Sequence, residues 1–197
     1  MSSTIELKNI NKTYGDYTVF SGLSLSFEKG GVTCITGASG CGKTTLLRIL
    51  AGLEAPDSGT VDTGGASLSY VFQENRLTEN YSAVSNIRLV TGKKMSDEDI
   101  RRHLTEIGLK EFTDKKVRDF SGGMKRRVAI ARAVCYDADV LLMDEPFKGL
   151  DPKLKTGVMD YVKKYSAGKT VIYVTHDPGE SEYMGGTVIN LPGPFAF

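Results

Sequence analysis

An α/β fold is what the order of this chain predicts, and three features carry the prediction. Short β-branched runs alternate with helically spaced apolar residues through most of its length. The opening segment instead alternates apolar and polar residues twice over, the pattern of an antiparallel layer. Between the two lies Gly37-Ala38-Ser39-Gly40-Cys41-Gly42-Lys43-Thr44, which fits G-x-x-x-x-G-K-[ST], a loop shaped to hold phosphate. The expected architecture is a core around that loop, an antiparallel β subdomain, and a small helical subdomain over roughly residues 74–120, within one domain spanning 1–197.

Taken in order, Ile5-Glu6-Leu7-Lys8-Asn9-Ile10 alternates as a half-buried strand over residues 4–10. Lys12-Thr13-Tyr14-Gly15-Asp16 reads as a turn, and Leu23-Ser24-Leu25-Ser26-Phe27 alternates again before Glu28-Lys29-Gly30-Gly31. Tyr14 suits stacking on a nucleotide base and plain packing alike, and the residues leave both open. Val32-Thr33-Cys34-Ile35-Thr36 is short and β-branched enough for a buried strand leading into the phosphate loop. After the loop, Thr45-Leu46-Leu47-Arg48-Ile49-Leu50-Ala51 has helical spacing, with Gly52 placed to end it. The loop glycines let the backbone wrap closely with its N–H groups inward, and the helix N-terminus adds the positive end of its dipole. Lys43 can reach the β- and γ-phosphates, and the Thr44 hydroxyl can ligate Mg²⁺. The nucleotide-holding set is therefore Gly37, Ala38, Ser39, Gly40, Cys41, Gly42, Lys43, Thr44 and Thr45.

Pro56-Asp57-Ser58-Gly59 is a turn before a weak strand at 60–62, and Leu68-Ser69-Tyr70-Val71-Phe72 is a further strand ending at Gln73. Ligands collect at the carboxyl ends of such strands, although unaided Gln73 reads as a surface glutamine. Residues 83–90 form a short helical stretch, and Ser96 with Asp99 caps a helix through Ile100, Leu104 and Ile107 that Gly108 stops. His103 falls on its polar side and reads as a solvated surface histidine. Leu77, Tyr81, Val84 and Ile87 recur at about helical spacing and offer apolar surface for a partner, against the alternative that each packs inward. Ser121-Gly122-Gly123 opens another helix, a second place where N–H groups and a hydroxyl can face an anion. The following Lys125-Arg126-Arg127 reads as a solvated helical face.

Val140-Leu141-Leu142-Met143 is an apolar strand running into Asp144 and Glu145. A carboxylate at that place, downstream of a phosphate loop, can hold Mg²⁺ through water, the role of Asp144, while Glu145 can polarise a water for attack on a γ-phosphate. Gly149-Leu150-Asp151-Pro152 turns into a helix at 153–165, residues 169–175 are a β-branched strand, and 186–191 are a last strand before the tail 192–197. His176, ending the strand beside the phosphate site, is placed to meet a γ-phosphate.

Composition sets outer limits. The 197 residues suffice to bury a core, and a formal net charge of +1 gives no global basic field, so no nucleic acid partner is expected. Cys34, Cys41 and Cys135 have neither metal-ligand nor disulfide spacing and read as reduced thiols. The first ten residues lack a leader's apolar core, and no apolar run approaches the length of a membrane span, so any membrane role is expected to be peripheral, at the cytoplasmic face.

The succession of phosphate loop, Gln73, Ser-Gly-Gly helix, Asp144-Glu145, Asp151 and His176 resembles the ATP-binding subunit of ABC transporters over essentially the whole chain. The resemblance implies a P-loop NTPase core with ATP and Mg²⁺, hydrolysing ATP to drive transport of a small solute. It implies Tyr14 as the adenine-stacking aromatic, Gln73 beside Mg²⁺ and the attacking water, and Ser121, Gly122 and Gly123 as the signature. It further implies Asp144 as the Mg²⁺-associated acid, Glu145 as the general base, Asp151 in the D-loop and His176 as the switch histidine. Two such subunits, identical or homologous, would pack head to tail on transmembrane permease subunits, with a solute-binding protein among the partners, and the permease is expected to dock after Gln73, along 76–90. Phe72-Gln73-Glu74-Asn75-Arg76-Leu77 and Asp144-Glu145-Pro146-Phe147 look most like importer subunits of the nitrate, sulfonate and taurine type. The sequence departs from the family at Met124, in place of the usual glutamine, at Lys148, where a small residue is common, in a short segment between Gln73 and the signature, and in ending soon after His176, so that no C-terminal regulatory domain is expected. A soluble ABC-type ATPase, such as one for iron–sulfur cluster assembly, and a nucleotide-gated module without turnover are the alternatives.

Overall fold

The computed structural model describes residues 4–193; Met1, Ser2 and Ser3 and the end of the predicted tail, 194–197, lie outside it. Strand β1 (Thr4–Tyr14) folds back on β2 (Tyr17–Glu28) as a long hairpin, then β3 (Val32–Thr36) leads through the loop into α1 (Lys43–Leu50). β4 (Ser58–Asp62) and β5 (Leu68–Val71) follow, then α2 (Ala83–Thr91), α3 (Asp97–Glu106), two short 3₁₀ turns and α4 (Gly122–Cys135). The chain continues through β6 (Val140–Asp144), α5 (Pro152–Tyr165), β7 (Thr170–Val174), α6 (Pro178–Met184) and β8 (Thr187–Asn190). The strands form an antiparallel sheet in the order β2-β1-β4 and a parallel sheet in the order β5-β6-β7-β3-β8.

The expected alternation in β1 is broken once. Ile5 and Leu7 point inward, but the next buried residue is Ile10, three places on, because Asn9 takes a left-handed φ of 52° and the register slips there. The predicted turn at 12–16 is a correction of the same kind: the strand continues to Tyr14 and only Gly15 and Asp16 turn. In the central strands β6 and β7 every residue is buried, as a parallel sheet covered on both faces requires. The period of two divides them: Leu141, Met143, Val171 and Tyr173 join the core under α4 and α5, while Val140, Leu142, Ile172 and Val174 join the core with α1 and the antiparallel layer. The loop between β3 and α1 is thus held from both sides.

Three surface readings are overturned. His103 is buried, its ring packed against Tyr161 and Tyr165 and its Nδ1 sharing a 2.8 Å hydrogen bond with the Tyr161 hydroxyl. Arg127 is buried as well, and its guanidinium donates to the carbonyls of Ile107 (2.8 Å) and Gly108 (2.9 Å), acceptors that the end of α3 leaves without partners. Val84 and Ile87 are buried and Leu77 packs against the same core. Full burial of an aliphatic side chain contributes about 1.5–3 kcal/mol, which favours the inward orientation. Tyr81 stays 46 % exposed, and Leu89 is 56 % exposed. α6 was not foreseen, though Asp177-Pro178 carries its start signal: the Asp177 carboxylate accepts from the Gly179 N–H (2.9 Å) and Pro178 fills the first turn.

The buried histidine gives stability a pH dependence. Burial holds the His103 ring below its ordinary value of 6.5. The unfolded chain therefore takes up the proton more readily, so the contribution of neutral His103 is complete above that value and lost as pH falls below it. Melting temperature should drop from about pH 7.5 to about pH 5, and His103→Asn should flatten that fall. An equal fall in both proteins would assign the acid lability elsewhere.

Candidate functional site

The loop between β3 and α1 is shaped by glycines that other residues cannot replace. At Gly42, φ is 94°, and a Cβ would lie 2.4 Å from Val19 Cγ1 and 2.8 Å from the Phe20 ring. At Gly37, φ is 145°, and a Cβ would come within 2.7 Å of Cys41 Sγ. Gly42 is the N-cap of α1 and offers no side-chain cap, which leaves the first-turn N–H groups free for an anion. Lys43 is buried, and its ammonium donates to the carbonyls of Gly37 (2.9 Å) and Ala38 (2.7 Å) inside the loop. The Thr44 hydroxyl donates to the Asp144 carboxylate at 2.7 Å. Burial pushes the Asp144 carboxyl above the ordinary carboxylate range, with the Thr44 hydrogen bond acting against it.

These groups face a cleft of about 310 Å³. Its floor is the phosphate loop, and Gln73, Asp144, Glu145 and His176 stand at the carboxyl ends of parallel strands around it, as expected. Tyr14 lines it from the antiparallel layer, its ring exposed, its hydroxyl bonded to Glu54 and its face 5.1 Å from the Lys12 ammonium. Tyr17 joins it, donating to the Gly40 carbonyl at 3.0 Å. The sequence reading missed Tyr17, whose only signal was a second aromatic across the hairpin turn.

Glu145 is a non-glycine residue in the left-handed region, φ 46°, a strained conformation fixed by its N–H donating to the Val174 carbonyl (3.1 Å). One carboxylate oxygen meets His176 Nε2 at 3.1 Å and the other meets Lys148 Nζ at 2.5 Å. The residues flanking His176 are tethered: the Thr175 hydroxyl donates to Glu180, and Lys155 pairs with Glu180 (2.5 Å) and Asp177 (2.6 Å).

Arg126, expected on a solvated face, is instead buried at the centre of this framework. Its guanidinium donates to the carbonyls of Asp144 (2.6 Å), Glu145 (2.8 Å), Pro146 (2.8 Å), Phe72 and Gln73 (3.4 Å). Arg132, two turns along α4, reaches Arg76 (2.9 Å) and Asn75 (3.3 Å) in the same way. Nothing in a K-R-R run separates such fans of hydrogen bonds from surface charge; only the packing of α4 against β5 does.

Of the predicted site residues, Gly37, Ala38 and Cys41 belong to the loop without lining the cleft, and two further groups stand apart from it. Ser121 caps α4, accepting from the Met124 N–H at 3.3 Å, and Gly122 and Gly123 form the helix's first turn, outside the cleft lining. Asp151 caps α5 through the Lys153 N–H (2.9 Å), also outside it.

A phosphate loop at the switch from strand to helix, facing strand-end carboxylates and a histidine, defines the class: an ATP-binding ATPase of α/β architecture. The chain belongs to the ABC transporter family, whose sequence profile matches residues 20–148. It is 37 % identical over 203 residues to the aliphatic sulfonates import ATP-binding protein SsuB 2 of Burkholderia cenocepacia (strain HI2424), covering 96 % of this chain and 74 % of that protein. It is 36 % identical over 202 residues to the Fe(3+) ions import ATP-binding protein FbpC of Rhizobium etli, covering 94 % of this chain and 57 % of that protein. Among solved structures it is similar to the ATP-binding cassette MJ0796, a dimer in a post-hydrolysis state bound to ADP and Pi, with a TM-score of 0.82, 30 % identity, and coverage of 95 % and 94 % of the two chains. The chain is thus an ATPase that energises solute transport, and the importer relatives bear out the importer resemblance read from its motifs.

Proposed function

We propose that the chain is one ATPase domain that acts as a head-to-tail pair, each ATP held between one copy's phosphate loop and the other's Ser121, Gly122 and Gly123. The observation that carries this is the split site: within the chain, the signature end of α4 lies outside the cleft that holds the loop, Glu145 and His176. A dimeric cassette among the similar structures supports it. Tyr14, with Tyr17, stacks the base. The loop amides of 37–45 and Lys43 hold the phosphates, and His176 meets the γ-phosphate. Asp151 lies at the pair's contact through the turn it caps.

The Thr44 hydroxyl and Asp144 carboxylate, already within 2.7 Å of each other, are hard oxygen donors that suit Mg²⁺, and Gln73 completes the set. Bound there, Mg²⁺ would offset phosphate charge. Glu145 accepts the proton of the attacking water. At tens of micromolar protein, Glu145→Gln with ATP and Mg²⁺ should sediment as a dimer and with ADP as a monomer; a monomer in both conditions would sink the paired site.

The pair docks, in this proposal, on transmembrane permease subunits at the cytoplasmic face of the membrane, serving an importer of the sulfonate type with a solute-binding protein. Among the described residues no helix is long and apolar enough to cross a membrane, and the relatives favour import over iron–sulfur assembly. With Val84, Ile87 and Leu77 turned inward, the docking residues are Tyr81, Leu89 and Val90 on the outer side of the segment that Arg126 and Arg132 tie to α4. Single cysteines at 81 and 89, in a background lacking the three native ones, should crosslink to the permease in membranes. Crosslinks confined to 153–164 would move the docking surface to the opposite side.

A further inference from the structure

Lys148, the departure for which the sequence offers no account, touches the residue proposed as the base. The turn Glu145-Pro146-Phe147-Lys148 closes on itself, the Lys148 N–H donating to the Glu145 carbonyl at 3.3 Å. Its backbone is fixed from below: Phe147 is 1 % exposed, and Arg126 holds the carbonyls of Glu145 and Pro146 at 2.8 Å each. The ammonium is thereby placed 2.5 Å from Glu145 Oε2, with the lysine side chain 69 % exposed and that of Glu145 only 10 %. The other oxygen, Oε1, meets His176 at 3.1 Å. His176 lines the nucleotide cleft and Lys148 does not, so Oε1 is paired with a cleft residue and Oε2 with one outside it.

We infer that Lys148 is a positioning residue for Glu145, holding Oε2 so that Oε1 is the oxygen that takes the proton of the attacking water. The inference rests on the reading of Glu145 as base and His176 as the γ-phosphate partner. When His176 turns to the γ-phosphate, Oε1 is released toward the cleft while the charge-assisted bond to Lys148 keeps the carboxylate plane fixed. Without it the terminal torsion of a glutamate is broad, and the oxygen facing the water is no longer selected. The water then gives its proton to Oε1 as its oxygen bonds to phosphorus and the bond to the β–γ bridging oxygen breaks. A small residue here leaves that orientation to other contacts; a lysine supplies it from within the turn.

Steady-state and single-turnover ATPase of the full chain test this. The lysine end of the pair is mostly exposed and adds little stability, so Lys148→Ala and Lys148→Met should leave the melting temperature unchanged while lowering kcat by about threefold to tenfold, with KM for ATP within about twofold. Lys148→Arg should restore most of the rate, and Lys148→Ala added to Glu145→Gln should lose nothing further. Unchanged or raised kcat in Lys148→Ala, a change confined to KM, or an equal further loss in the Glu145→Gln background would each overturn the inference. Near-normal turnover of Glu145→Gln alone would instead remove the base assignment, which keeps the two failures distinct.

Discussion

Glu145→Gln is expected to retain ATP binding and lose turnover by about 10²–10⁴-fold, the usual consequence of removing a general base. The separation follows from where each group acts. In the proposed mechanism Lys43 and the loop amides meet phosphate oxygens in the ground state, whereas the Glu145 carboxylate is needed only as water attacks. The amide is nearly isosteric and can still contact His176 and the Lys148 region, so the fold of the strained turn is preserved while the proton acceptor is lost. Fluorescent-nucleotide titration beside single-turnover hydrolysis separates the two quantities. Turnover near the parent's rate would exclude Glu145 as base, and weakened ATP binding in proportion to the rate would make it a ground-state contact.

Arg126→Ala is expected to reduce stability by about 3–5 kcal/mol in urea unfolding, among the largest single-residue losses in the chain. The guanidinium bonds backbone carbonyls from two separate segments, 72–73 and 144–146, and its removal leaves buried acceptors without partners and opens a cavity beneath the site. Burial in this setting pulls the guanidinium down to about 10, still charged at neutral pH. Arg126→Lys should recover only a minority of the loss, because a single ammonium cannot reproduce a planar fork spanning both segments. A loss below about 1 kcal/mol for Arg126→Ala would mean that water replaces the guanidinium without strain.

How much of the site was legible varies with how local its physics is. The phosphate loop, its flanking strand and helix, and the acids ending β6 were readable because spacing alone fixes them: glycines at left-handed φ, a lysine and hydroxyl entering a helix, an apolar run ending in charge. Gln73 and His176 were weaker signals, single polar residues at strand ends, and came to the cleft only because their strands lie parallel in one sheet. His103, Arg126 and Arg127 were misread since charge and polarity predict exposure on average, whereas each of these finds buried partners from distant segments: a tyrosine in α5, carbonyls at the ends of β5 and β6, and carbonyls that follow α3. Val84 and Ile87 illustrate the converse, since helical spacing shows that a stripe exists and not which neighbour covers it.

By itself, the sequence determined the phosphate loop, the order of strands and helices apart from α6, and the family, all consequences of short-range pattern. Only the tertiary structure decided which side chains share the Glu145 carboxylate, which arginines brace the strand ends, and that the Ser121-Gly122-Gly123 end of α4 stands apart from the cleft. Those depend on how β6, β7 and α4 pack, and the contacts that result, between residues as far apart as Phe72 and Arg126, are set by a register that no local run of residues encodes.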